Sequence, residues 1–223
     1  MRNLTHADSL FEKKMFIESY DIYTRIWNSG AYTDQMLLKM AFINEGLGNY
    51  TMALYYLDIY YSITKKRAVL QKMDYLAARY NLSGYEYTDW SFFLSLYAQY
   101  EYHIMYAVLA LLLIYMIYSS FLPEKRRRRS FIVVTMISSV LFVFYTFDLS
   151  PDEAIVSNDA LLMSAPSAGA QVRGNIKKGN KITVRSYHDI WCAIRVNGKR
   201  YYVRNSNLLF TDVFRSKKRF VYF

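Results

Sequence analysis

The sequence predicts a multi-domain membrane protein: a solenoid of repeated α-helices, then a two-helix transmembrane hairpin, then a small all-β barrel. Three observations predict it. Segments of the first hundred residues align with one another at a shift of 34. Two long stretches without a charged side chain follow, joined by a run of arginines. Beyond them the pattern changes to short alternating apolar runs separated by glycine-containing turns. The net charge of +10 over 223 residues is distributed accordingly. Residues 1–103 carry 10 basic and 11 acidic groups, residues 122–130 a net +4, and residues 148–223 a net +7. A uniformly basic chain would suggest nucleic acid as a partner. Four unlike blocks point to a membrane instead.

Composition excludes several classes of function. The single cysteine, Cys192, cannot form an internal disulfide. His6, His103 and His188 are scattered, and no CxxC or HExxH pairing accompanies them, so no metal site is expected. No glycine-rich phosphate loop exists, so no nucleotide or other cofactor is expected. Catalysis would need a nucleophile beside a base, and Ser164 and His188 alone do not supply one. The expectation is a protein that is not an enzyme.

The helical block covers residues 1–103. Phe16–Tyr23 (FIESYDIY) aligns with Tyr50–Leu57 (YTMALYYL), and at the same shift Ala7 pairs with Ala41, Lys14 with Gly48, and Ser19 with Ala53. Small residues at such positions let two helices approach closely, and Gly48-Asn49-Tyr50 marks the turn between them. The pattern resembles the tetratricopeptide repeat, a helix–turn–helix unit of about 34 residues. The best matched unit is 34–66, with Ala41, Gly48, Tyr50, Ala53 and Leu57 at motif positions; Asn44, Tyr60 and Lys14 depart from the pattern. The resemblance implies a concave partner-binding surface that includes Asp8, Phe11, Gln35, Leu38 and Phe42. A third, incomplete unit is expected over 68–80, with Leu70, Met73, Leu76 and Ala77 on one face. After a break at Gly84, Asp89 is expected to cap a helix starting at Trp90 that runs on into the first span and closes the solenoid.

The first span is 104–122, nineteen uncharged residues without proline or glycine; as a helix it reaches roughly 28 Å, close to the hydrocarbon thickness. The second is 131–147, seventeen uncharged residues, at the short end of the spanning range. The loop 123–130 carries Lys125, Arg126, Arg127, Arg128 and Arg129. Short loops rich in Lys and Arg stay cytoplasmic, which places both flanking domains on the periplasmic face of a bacterial inner membrane. Residues 1–20 contain no apolar stretch of the kind that exports a domain, so either a signal precedes Met1 or the first span inserts with its N-terminus outward.

The all-β block is expected over 153–210, followed by a basic tail, 211–223. Lys178-Gly179-Asn180 and Asn197-Gly198-Lys199 are turn signals, the second a two-residue hairpin candidate. The order of small-residue loop (Met163 to Ser167), lysine-rich turn (Ile176 to Gly179), tryptophan strand and closing Tyr202-Val203 strand resembles bacterial SH3-like domains. Trp191 is either core or a binding anchor, and Cys192 alternates to the opposite face of its strand.

Repeats, two spans with a basic loop, and an SH3-like barrel in this order resemble the E-type proteins of the Bat (Bacteroides aerotolerance) operon of Bacteroidetes. The resemblance implies a non-enzymatic, stress-related scaffold beside a MoxR-type ATPase, with von Willebrand factor A-domain membrane proteins and the lipid bilayer as partners. The alternative is an envelope sensor that binds peptidoglycan or cell-wall peptides through its SH3-like domain.

Overall fold

A computed structural model describes residues 2–86, 89–121, 123–124, 126–127, 131–132, 134–139, 152–196 and 198–211. Among them the chain combines helices with a seven-stranded antiparallel sheet. It divides into two compact units, Met1–Tyr87 together with Asp152–Phe223, and Thr88–Pro151.

In the first unit α1 (Arg2–Glu12), α2 (Phe16–Asn28), α3 (Asp34–Gly46), α4 (Tyr50–Thr64) and α5 (Arg67–Tyr80) form consecutive antiparallel neighbours. The period of 34 has a local cause. Met15 N–H donates to Leu10 C=O and Lys14 N–H to Phe11 C=O; thirty-four residues on, Asn49 donates to Asn44 and Gly48 to Glu45. Both are Schellman closures of a helix, with Lys14 at φ +62° and Gly48 at φ +74° in the left-handed position that this motif needs. Thr33 and Asn49 cap α3 and α4 by accepting from Met36 N–H and Met52 N–H at 3.2 and 3.4 Å. Ala7, Ser19, Ala41 and Ala53 are all buried where the helices cross, and Ser19 Oγ–H donates to Ala7 C=O at 2.8 Å. The departures Asn44 and Tyr60 are buried too, Asn44 with its side-chain N–H on Met40 C=O at 2.8 Å.

The strands are β1 (Asp152–Val156), β2 (Ala160–Met163), β3 (Val172–Ile176), β4 (Lys181–His188), β5 (Trp191–Val196), β6 (Lys199–Arg204) and β7 (Leu208–Phe210), in the order β3-β2-β6-β5-β4-β1-β7. Val196 pairs with Lys199 across a two-residue turn, as the Asn-Gly signal requires. Alternate residues Ala154, Val156, Ile182, Val184, Cys192, Ile194 and Val203 fill one core.

The helical and β blocks, expected as separate domains, belong to one unit. The turn before β4 is the joint. Lys181 N–H donates to Ser83 C=O, Ser83 N–H to the Asn180 side-chain oxygen, and the buried Tyr85 hydroxyl to Gly179 C=O at 2.8 Å. Lys178 lies over the Tyr50 ring, which stacks on Tyr80 at 4.3 Å. Below them, Lys181 Nζ meets Asp58 of α4 at 2.8 Å and Glu153 of β1 at 2.6 Å. The Lys181 and Asp58 side chains are 3% and 4% exposed. Ile155, directly opposite Lys181 in the β1–β4 register, is also fully buried, although its neighbours Ala154 and Val156 point into the barrel. The β1 strand is therefore covered on both faces, by the barrel core and by α4.

In the second unit α6 runs continuously from Asp89 to Ser120. It starts at Asp89 itself rather than at Trp90. Its segment His103–Ser120 is long and apolar enough to cross a membrane and is 6% buried. Among the described residues it is the only helix that qualifies. Of the second expected span, 131–132 and 134–139 are helical; residues 140–147 lie outside the described residues. In the loop, Arg126 and Arg127 are exposed and donate their N–H groups to Pro123 C=O, whereas Lys125, Arg128 and Arg129 lie outside the described residues, as does the tail from 212 onward.

Candidate functional site

The Schellman turn at Lys14 sends α2 back along α1 and leaves an open groove between that turn and α3. The groove holds about 590 Å³ and is lined by Phe11, Glu12, Lys14, Phe16, Leu38, Lys39 and Phe42. Its floor is a cluster of three rings. Phe11, Phe16 and Phe42 meet edge to face, with centroids 5.3, 5.7 and 5.8 Å apart. Edge-to-face packing of this kind contributes roughly 0.5–1.5 kcal/mol per pair beyond area burial. Yet Phe42 remains 56% exposed and Leu38 37%, with Met15 and Ile17 exposed on the neighbouring turn.

Three of the five residues expected on the concave surface, Phe11, Leu38 and Phe42, line this groove. Asp8 does not face a partner freely. Its carboxylate accepts from the Tyr23 hydroxyl at 2.5 Å and from Lys39 Nζ at 2.7 Å, and Lys39 also lies 5.2 Å from the centre of the Phe11 ring. Asp8 thus ties α1 to α2 and α3 beneath the groove. Gln35 is exposed on the first turn of α3, outside the lining. The pattern missed Phe16, Lys39, Glu12 and Lys14. A signal existed for Phe16, which begins α2 immediately after the left-handed turn and so projects beside it.

Partial burial works against the charge of Asp8. The hydrogen bonds from Lys39 and Tyr23, and the nearby lysine charge, together outweigh that cost and hold its carboxyl below the ordinary value. Burial, then the bond to Asp8, raises the Tyr23 hydroxyl, so it stays protonated and donates. A carboxyl depressed in the folded state adds stability above its unfolded pKa, lost as pH falls through the folded one. Asp8→Asn is accordingly expected to flatten the acid limb of stability below about pH 5, where the ordinary carboxylate begins to protonate, measured by thermal unfolding of the two chains side by side.

Trp191, the other residue offered as a partner anchor, lies on β5. Trp191 is 8% exposed, on the strand face opposite Cys192, with the Arg204 guanidinium 5.5 Å from its ring centre. Cys192, at 0% exposure, occupies the barrel core instead. Both faces of β5 are covered, so alternation there separates two buried positions. His188 meets Ser186 at 3.1 Å at the exposed C-terminal end of β4, and Ser164 N–H bonds Gln171 C=O on the far side of the β2–β3 loop. Among the described residues no three His, Cys, Asp or Glu side chains gather as a metal site. No protein-family model matches the chain, and comparison with the curated proteins finds no match.

Proposed function

We propose that the protein is a non-enzymatic, membrane-anchored scaffold whose tetratricopeptide-like groove receives a partner protein beside its SH3-like barrel. The observation that carries this reading is the groove itself, lined by three aromatic rings and Leu38 on the helical block. The joint at Lys181 supports a scaffold further, because it holds the repeats and the barrel as one body rather than as two modules on a linker. The resemblance to the Bat E-type proteins carries the same expectation, with other inner-membrane proteins as partners.

Connectivity supports the proposed membrane topology. Residues 2–86 and 152–211 pack into one unit, so both must lie on the same side of any bilayer. If His103–Ser120 crosses, the chain must cross back before Asp152. An even number of crossings supports the two-span hairpin, with the second span within 131–147. The arginine-rich loop then favours a cytoplasmic connection and a periplasmic body.

The test is accessibility of single cysteines to a membrane-impermeant reagent, with buried Cys192 left in place. Glu18→Cys and Ser206→Cys, at exposed positions of the two halves, are expected to react from the same, periplasmic side, and Arg127→Cys from the other. Reaction of the first two from opposite sides would overturn the topology. For the groove, Phe42→Ala is expected to weaken capture of the partner in the intact membrane complex by about tenfold, the scale of losing one aromatic anchor. Unchanged co-purification would remove the groove from the function.

A further inference from the structure

The barrel carries a second surface, away from the groove, whose make-up follows from the strand register. Ala193 pairs with Tyr202, Tyr202 with Met163, and Met163 with Val172, one row across β5, β6, β2 and β3. Their strand neighbours Cys192, Val203 and Leu162 fill the barrel core, so the row points the other way. Two residues along from it, Arg195 stands directly opposite Arg200 on the same face, and both are exposed. On the row's other side Arg204 is exposed as well, and Leu161 points outward from β2.

Like charges directly opposite one another in an antiparallel pair repel. Neither Arg195 nor Arg200 has an ion-pair partner among the described residues. The strands β2, β3, β5 and β6 contain no aspartate or glutamate at all. Residues 1–103, by contrast, balance 10 basic against 11 acidic groups, so the excess of cations belongs to the barrel. Among these cations Leu161 and Val172 are 56% and 49% exposed. Guanidinium groups beside outward aliphatic side chains and a half-buried tyrosine match the layers of a bilayer surface. Phosphates accept guanidinium N–H groups in pairs, tyrosine suits the headgroup level, and aliphatic groups enter the acyl boundary. A single-stranded nucleic acid would call for exposed stacking rings, whereas the well-exposed apolar side chains here are aliphatic.

The chain also brings a bilayer with it. Only residues 87 and 88 separate the body from α6, whose residues 89–102 reach about 21 Å before the apolar segment His103–Ser120 begins. A surface tethered so closely is occupied even when each contact is weak. Resting on the reading of His103–Ser120 as a membrane span, we infer that this face of the barrel docks on the anionic phospholipid headgroups of the membrane that α6 crosses. Phosphates between Arg195 and Arg200 relieve their repulsion, and Leu161 and Val172 enter beneath.

The experiment uses the full chain with a fluorophore on Asn175→Cys, an exposed position opposite Leu161 on the same face, and buried Cys192 left in place. It is reconstituted in nanodiscs of phosphatidylcholine, with or without phosphatidylglycerol, that carry a spin-labelled lipid as quencher. Quenching is expected to be about threefold stronger or more in the anionic discs and to fall with added salt. Arg195→Gln combined with Arg200→Gln is expected to abolish that preference while leaving the thermal unfolding midpoint unchanged or raised, since a repelling pair is removed. Leu161→Ser is expected to lose quenching in the anionic discs with the charge intact. Equal quenching in both discs, or a preference that survives the double arginine variant, overturns the proposal. Incorporation without quenching overturns the docking and leaves the span standing. A chain that stays outside the discs overturns the span, and the docking with it. Loss of quenching on adding a stoichiometric single-stranded oligonucleotide would mean that the face prefers a soluble polyanion, which also overturns the proposal.

Discussion

Replacing Lys181 by methionine is expected to destabilise the protein by about 3–5 kcal/mol, the usual cost of leaving a buried carboxylate without its cation. The side chain of Asp58 is 4% exposed, its Oδ1 accepts from Lys181, and its Oδ2 has no hydrogen-bond partner among the described residues. The methionine would fill the space and offer no donor. Glu153, 45% exposed, can turn to water, so the loss falls on Asp58. The companion double variant, Lys181→Met with Asp58→Leu, is expected to recover most of the stability, because an apolar pair of similar volume needs no compensation. Thermal or denaturant unfolding of the full chain in detergent reads both. If the single variant loses less than about 1 kcal/mol, the pair behaves as a surface ion pair and does not hold the blocks together.

Gly84→Ala is expected to act at the same joint by a different route. A Cβ at Gly84 would lie 2.0 Å from the Lys181 carbonyl oxygen and 2.8 Å from its carbon. That carbonyl cannot retreat, because Lys181 is held by Ser83, by its β1 neighbour Ile155 and by its own ion pairs. Gly84 also has φ +91°, a conformation that alanine resists. Overpacking and left-handed strain together are expected to cost about 2–5 kcal/mol. Gly48→Ala provides the control. It has the same sign of φ but open space around it, so backbone strain alone should cost about 1 kcal/mol. Similar losses for the two variants would show that the approach of the 82–85 segment to β4 is looser than the structure has it. Because Lys181→Met and Gly84→Ala strike one joint, their effects are expected to be non-additive when combined.

What could be read from the sequence was what repeats or alternates. The 34-residue shift was visible because two Schellman turns, at Lys14 and Gly48, are built from the same hydrogen bonds, and small residues accompany each crossing. Three groove residues were visible because Phe11, Leu38 and Phe42 stand at concave positions of that repeat. Phe16 and Lys39 escaped because they reach the groove through the geometry of the turn and of a side chain, which no spacing records. Lys14 reads as a departure from glycine, and only its φ of +62° shows that it holds the same left-handed position. Around Trp191 and Cys192 the alternation was legible but not which face is the barrel core: when both faces of a strand are covered, size does not reveal it. The joint was invisible altogether. Lys181 and Asp58 are 123 residues apart, each an ordinary charged residue in its own segment.

That separation bears on how the protein is made. The α4 face carrying Asp58 and the segment Leu82–Tyr85 lack their cover until β1 and β4 have been synthesised, and α6 comes between. The first half therefore emerges as an unfinished surface, of the kind that chaperones hold and proteases attack. It is completed only when the second half has been made and packs against it, so the buried pair of Lys181 and Asp58 closes late in synthesis.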